Sequence, residues 1–181
     1  MDPKIDRRAF LNGLGVGAAG LAAAGTATYF AGPRSAQAAV PKVKGKVTAK
    51  PFKTGHITFL TGPASGLGEA GRKGHLMAAE EINAQGGLLG KRKIETIVAD
   101  EAAGTDANVK ELRRMKLSEK IDMFSGVISS GNTPALGPVA EELGVLTLFN
   151  DGCTDFLFDK AVPNPKYVFR ITNIQSADGI T

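Results

Sequence analysis

Short apolar runs alternate with stretches of helical periodicity from His56 to the end of the chain, and this alternation restricts the fold more than any single motif does. The run His56 to Leu60 reads as a buried strand, and Glu69 to Ala84 as a helix with Ala70, Gly74, Met77, Ala78 and Ile82 on one face. Gln85-Gly86-Gly87 stops that helix, and Lys93 to Asp100 is a second strand. A helix from Asn108 to Lys120 follows, with Val109, Leu112 and Met115 inward, then a strand within Ile121 to Ile128. Pro134 opens the next helix, Leu136, Val139, Ala140 and Leu143 form its stripe, and Gly144 ends it. Strands at Val145 to Phe149 and Tyr167 to Ile171 and a helix starting near Ser176 complete the pattern. Strands and helices in this rhythm make βαβ units, so the fold class is α/β: a Rossmann-like parallel sheet with helices on both faces.

Ligands of such sheets bind outside the carboxyl ends of the strands. The turns there are 62–68, 100–105, 129–133 and 150–155. The first contains Gly66-x-Gly68-x-x-Gly71, the spelling of a dinucleotide-binding turn, which makes an exported NAD(P)-dependent oxidoreductase the alternative reading. The context argues against it. Gly62-Pro63-Ala64-Ser65 lengthens the loop, and the first acid at a strand end, Asp100, lies 29 residues past Gly71 rather than about 20. No catalytic set emerges either: there is no G-x-S-x-G elbow, His56 and His75 fit ordinary structural roles, and no His, Cys or acid cluster has metal-ligand spacing. The chain reads as a non-enzyme that needs no cofactor.

The third and fourth turns offer more. Ser129-Ser130-Gly131 places hydroxyls and backbone N–H groups at a helix start, which suits a carboxylate. Gly152-Cys153-Thr154-Asp155 adds a carbonyl, a hydroxyl and an N–H. A ligand with both ammonium and carboxylate fits the pair; equally, these residues are the usual helix caps and turn formers.

The first 38 residues read as an address. Asp6-Arg7-Arg8-Ala9-Phe10-Leu11-Asn12 precedes an uncharged Gly/Ala-rich stretch from Gly13 to Ala31, and Ala36-Gln37-Ala38 is a small-x-small cleavage signal. The paired arginines resemble the twin-arginine export signal. The uncharged stretch is long enough to span a membrane, but Gly and Ala are weakly hydrophobic, which favours a cleaved leader ending at about Ala38 over an anchor. Residues 39–54 carry five lysines, two prolines and no acid, and read as a flexible basic linker. Residues 1–38 hold four of the 22 Lys/Arg and two of the 18 Asp/Glu, so the rest carries 18 against 16, a net of only +2. With two Tyr and no Trp as well, nucleic-acid binding is not expected. Cys153 is the one cysteine, so no internal disulfide supports the fold.

Four ordered motifs carry a resemblance: Thr61-Gly-Pro-Ala-Ser-Gly-Leu-Gly, Ala79-Glu-Glu-Ile-Asn-Ala-Gln-Gly-Gly-Leu-Leu-Gly, Gly126-Val-Ile-Ser-Ser-Gly and Pro138-Val-Ala-Glu-Glu-Leu-Gly-Val, with Tyr167-Val-Phe-Arg-Ile-Thr behind them. Together they resemble the periplasmic leucine/isoleucine/valine-binding proteins, the substrate-binding components of ABC importers. The resemblance implies a type I periplasmic-binding fold, of which residues 55–181 would be the N-terminal ligand-binding lobe and a second lobe would be missing. It implies a periplasmic protein that hands an amino acid or small carboxylate to an ABC permease in the inner membrane, and the leader read above would make the twin-arginine machinery its export partner. A ligand-sensing receptor domain of the same fold is a further possibility. By motif, Ser130 and Thr154 would bind the ligand carboxylate, with Ser129, Gly131 and Cys153 beside them. The Gly152 carbonyl would help hold the ammonium, and Leu67 would touch the ligand side chain. Asp151 and Asp155 depart from the family's usual Pro or small residues, and would favour a cationic ligand or repel a second carboxylate.

Overall fold

Five strands form one parallel sheet in the order β2-β1-β3-β4-β5. The computed structural model describes residues 46–178, so the expected leader and most of the basic segment lie outside the described residues. In chain order the elements are β1 Phe52–Thr58, α1 Ser65–Ala84, β2 Ile94–Asp100, a 3-10 turn Glu101–Ala103, α2 Thr105–Leu117, β3 Met123–Gly126, α3 Thr133–Leu143, β4 Leu146–Phe149, a π-helical turn Leu157–Ala161, β5 Val168–Arg170 and α4 Gln175–Asp178. The alternation expected from the sequence is therefore present, with element ends moved by a few residues. Among the described residues no helix is long and apolar enough to cross a membrane.

β1 starts earlier than the sequence suggests. Phe52, Lys53 and Thr54, assigned above to the linker, pair with Ile94, Glu95 and Thr96 of β2. Two lysines and a proline just upstream mask the strand signal, yet Thr54 is buried and Lys53 N donates to the Asp122 carboxylate at 3.0 Å.

The main core lies on one face of the sheet. Ile57, Phe124, Phe149 and Val168 from the strands meet Leu112 and Met115 of α2, Leu136 and Ala140 of α3, and Leu157 of the π-helical turn, all buried. Full burial of each large side chain contributes roughly 1.5–3 kcal/mol. The inward stripes expected for α2 and α3 are observed, with Val109, Val139 and Leu143 partly buried against the cluster. Gly144 closes α3 in the left-handed region at φ 58°, where glycine is strain-free.

The opposite face differs. α1 lies over β1 and β2, and its buried residues are Gly68 and Ala79, with His75 and Ile82 half-buried on the same side. The stripe expected to face inward is turned out: Ala70, Gly74 and Ala78 are exposed and Met77 is 50% exposed. The reason is what α1 packs on. Thr54, His56, Thr96 and Ser125 line the sheet beneath it, so the matching helix face carries a histidine and small residues rather than an apolar row. Beyond α1 no other described element covers this face, and Leu146, Phe169 and Ile171 remain 44%, 51% and 68% exposed.

Beneath α1, the His56 and His75 rings stack with centroids 4.7 Å apart and planes 19° from parallel. His56 Nδ1 lies 3.0 Å from Ser125 Oγ, and His75 Nε2 lies 3.2 Å from Thr54 Oγ1 and 3.3 Å from Thr96 Oγ1. His56 Nε2 is buried without a partner. A bare lone pair is cheaper to bury there than an orphaned N–H, so Nδ1 is best read as the donor to Ser125. Burial pushes the His56 pKa down to about 4, helped by repulsion from His75 and opposed by Ser125; burial also lowers that of His75. From β1, β2, β3 and α1, the neighbours in this cluster are hydroxyls, and no carboxylate among its hydrogen-bond partners receives the charge.

The glycine spelling in the first turn resolves into three separate positions. A Cβ on Gly68 would lie 1.8 Å from the Phe59 carbonyl oxygen, whereas nothing stands within 4 Å of one on Gly66 or Gly71. Only Gly68 is required, because α1 enters directly against the end of β1. Two outcomes follow. Gly68→Ala should destabilise by roughly 1–3 kcal/mol or more through backbone overpacking. Gly71→Ala should stabilise by about 1 kcal/mol as an open helix position. Urea unfolding of both variants separates the two. For the histidines, the unfolded chain binds protons near the ordinary value of 6.5 while folded His56 binds them only near 4. Stability is then complete above about pH 6.5 and falls by roughly 3 kcal/mol as pH drops from there to about 4. Urea midpoints across that window should show the slope, and His56→Phe should flatten it.

Candidate functional site

The strand order reverses between β1 and β3. β1 leads to β2 on one side, and the chain then crosses back to place β3 on the other. The crevice outside the carboxyl ends of these two strands is where an α/β sheet of this kind takes ligand. The loops after β1, β3 and β4 border it, and two acids at the end of β2 fix their positions.

Asp100 ties the first loop down. Its carboxylate accepts Thr61 Oγ1 at 2.6 Å, Leu60 N at 2.9 Å and Ala102 N at 3.0 Å. The Thr61 hydroxyl and these backbone N–H groups hold its pKa at about 2, so it stays ionised. Leu67, on the first turn of α1 behind this loop, is 66% exposed. It is an exposed apolar side chain at the start of α1.

Glu101, 1% exposed, organises the second loop. Its carboxylate accepts Ile128 N, Ser129 N and Asn132 Nδ2, each at 2.8 Å. The Asn132 amide oxygen accepts Thr105 Oγ1 at 2.6 Å, and Asn108 Nδ2 donates to the Glu101 carbonyl at 3.0 Å. A fully buried carboxylate is tolerated when its lone pairs meet several donors, as here. The expectation of free N–H groups along Ser129-Ser130-Gly131 is therefore corrected. Ser129 N serves Glu101, Gly131 N serves Ser129 Oγ at 3.2 Å, and Asn132 N serves Ser129 O at 3.1 Å. Ser130 is the residue left over. Neither its N–H nor its hydroxyl has a hydrogen-bond partner among the described residues, and it stands at the N-terminus of α3.

The third loop is locked from inside. Thr133, fully buried in the first turn of α3, places Oγ1 3.2 Å from Ser129 O and 3.1 Å from Gly152 O. Thr154 N also donates to Gly152 O, at 2.9 Å. A carbonyl has two lone pairs. With both engaged by the protein, the Gly152 carbonyl does not match its expected role of holding an ammonium. Gly152 is needed for approach and conformation instead: φ is 65°, and a Cβ would lie 2.1 Å from Thr133 Oγ1. Thr154 is 5% exposed; its hydroxyl oxygen accepts Phe156 N at 3.3 Å and keeps its own proton to donate. Cys153 is a half-buried free thiol whose carbonyl accepts Gln175 N at 2.7 Å.

Two further contacts hold this loop to the chain beyond it. Arg170 Nη1 donates to the Thr154 carbonyl, and its guanidinium lies 5.3 Å from the centre of the Phe158 ring. The Asp155 carboxylate accepts Ser176 Oγ at 2.8 Å and Ser176 N at 3.2 Å, while Asp151 Oδ1 accepts the neighbouring Gly152 N at 2.9 Å. Asp155 is thus spent on the start of α4. The structure brings Ser129, Ser130, Gly131, Gly152, Cys153 and Thr154 together, while Leu67 lies apart from them on the first turn of α1. Glu101, Thr133 and Arg170 are the organising residues that the sequence reading missed. The acid pair Asp100-Glu101 at a strand end was the available signal for the first. Among the described residues no group of three or more His, Cys, Asp or Glu can hold a metal ion.

Glu101→Gln keeps the shape but turns one acceptor into a donor facing a backbone N–H. It should destabilise by roughly 1–3 kcal/mol, the cost of unmatched buried polar groups, and urea unfolding measures it directly.

Comparison with known proteins agrees with this architecture. The family model described as "Periplasmic binding protein" matches residues 51–180. Leu/Ile/Val-binding protein homolog 7 of Brucella suis is 30% identical over 113 residues, covering 62% of this chain and 28% of the relative. The branched-chain amino acid transporter substrate-binding protein LivJ of Streptococcus pneumoniae, solved with isoleucine, is 28% identical with a TM-score of 0.62 over 70% of this chain and 35% of its own. An ABC transporter solute-binding protein of R. palustris, solved with benzoate, is 28% identical with a TM-score of 0.61 over 71% of this chain and 34% of its own. The chain spans about a third of the length of these relatives. By its family model, its parallel sheet and the motifs that build the three loops, the chain belongs to the periplasmic binding protein family.

Proposed function

We propose that this chain is the ligand-binding lobe of an exported solute-binding protein of an ABC importer. It takes an amino acid or a similar small carboxylate between this lobe and a second one and delivers it to a permease in the inner membrane. The observation that carries the reading is Ser130: every neighbouring N–H in its loop is engaged, yet its own N–H and hydroxyl are free at a helix N-terminus. A helix N-terminus with free donors suits an anion. Thr154, across the Thr133 bridge, adds a hydroxyl with a proton to give. Leu67 offers apolar contact to the ligand's side chain.

The ligands of the solved relatives, isoleucine in one and benzoate in the other, share a carboxylate on an apolar body and support this chemistry. The paired arginines, apolar stretch and Ala36-Gln37-Ala38 at the start of the chain support twin-arginine export and a periplasmic location. The glycines that spell a dinucleotide turn have a packing explanation in Gly68, so a nucleotide cofactor is not part of this reading.

The test is calorimetry on the full-length protein with isoleucine, leucine, valine, benzoate and 4-hydroxybenzoate. At least one should bind, and no heat from any of them at millimolar concentration would overturn the reading. For the ligand that binds, Ser130→Ala and Thr154→Ala should each cost roughly 1–3 kcal/mol, the range for hydrogen bonds to a charged group. Unchanged affinity in either variant would remove that residue from the site.

A further inference from the structure

We infer that Thr133 is the positioning residue that sets the spacing of the two carboxylate-binding loops, an assignment that rests on the solute-binding reading above. Its side chain touches no ligand. It is fully buried, and its one hydroxyl proton is placed between Ser129 O and Gly152 O, at 3.2 Å and 3.1 Å.

The two acceptors do not compete equally for that proton. Ser129 O already receives Asn132 N at 3.1 Å and Thr133 N at 3.4 Å, while Gly152 O receives only Thr154 N at 2.9 Å. The hydroxyl therefore completes the second lone pair of Gly152 O. This bond spans 19 residues of chain and joins the loop carrying Ser130 to the loop carrying Thr154. The approach is close enough to exclude a side chain at Gly152, whose Cβ would also lie 3.3 Å from both Ser129 O and Val127 O.

Ser130 sits three residues before Thr133, and Thr154 sits two after Gly152. One hydrogen bond thus fixes how far apart the two ligand-binding hydroxyls stand. A carboxylate that must meet both pays the ordering cost once, during folding, rather than on binding.

The test uses the full-length protein with isoleucine and benzoate as probes. Thr133→Val keeps the branched shape and removes the hydroxyl; Thr133→Ser keeps the hydroxyl. Thr133→Val should weaken the tighter probe about fivefold to tenfold, the effect of one hydrogen bond, and Thr133→Ser should bind within about twofold of the parent. Amide exchange supplies a readout that needs no ligand. In Thr133→Val, exchange should speed up at Thr154 and Phe156, with the body of α3 unchanged. Parent-like affinity in Thr133→Val, or equal weakening in Thr133→Ser, would overturn the assignment. If the parent protein binds neither probe, whichever of leucine, valine or 4-hydroxybenzoate it does bind takes their place; if it binds none of them, the function proposed above fails and exchange decides: faster exchange confined to the Thr154 loop supports the spacing role, and parent-like exchange overturns it.

Discussion

The carboxylate of Glu101 is the interaction on which the ligand-facing edge depends. It lies at the end of β2, inside the protein, and receives two backbone N–H groups and an amide from the loop after β3. Those two N–H groups come from residues just past a strand that is too short to hold them by pairing. Without the acid they would be buried without acceptors. With it, the loop has one conformation, and the helix that follows starts where Asn132 and Thr133 put it. Thr133 then passes that order to the loop after β4, and Arg170 and Asp155 pass it on to β5 and α4. The edge is a relay of hydrogen bonds in which each loop is held by the next.

This arrangement divides the labour between charged and neutral groups. The acids do structural work from behind: Asp100 holds the first loop, Glu101 the second, Asp155 the start of α4. The groups proposed to meet ligand are neutral donors, chiefly the Ser130 N–H and the hydroxyls of Ser130 and Thr154. Neutral donors cost little to desolvate and discriminate by geometry. The Glu101 carboxylate is buried and engaged by Ile128 N, Ser129 N and Asn132 Nδ2 inside the protein.

Much of this was legible in the letters. The strand and helix order followed from apolar periodicity, and the loops followed from the strand ends, because a parallel sheet presents its carboxyl ends along one edge. What could not be read was which polar groups would be used up. Ser129, Ser130 and Gly131 are equivalent in a sequence; Glu101, 28 residues before Ser129, takes the Ser129 N–H and the Ser129 hydroxyl takes that of Gly131, which leaves Ser130. The Gly152 carbonyl looked available until Thr133 was seen beneath it. The face of α1 was misjudged for a related reason: hydrophobic periodicity assumes an apolar surface opposite, and here the sheet offers Thr54, His56 and Ser125. The Ala79 to Gly90 motif, informative for the family, proves largely structural. Asn83 pairs its side-chain amide with both backbone groups of Ile94, at 2.9 Å and 2.7 Å, and Gly86, Gly87 and Gly90 all have positive φ.

The open stretch of sheet beside α1 has a practical meaning of its own. Leu146, Phe169 and Ile171 leave greasy surface next to β5, a three-residue strand whose outer edge has no partner strand among the described residues. Exposed apolar area adjoining an unpaired backbone edge is the combination soluble proteins usually shield. Colloidal behaviour is therefore set on the face away from the main core, by residues remote from ligand chemistry. Anyone handling this chain should expect its solubility to depend on concentration well before its fold does.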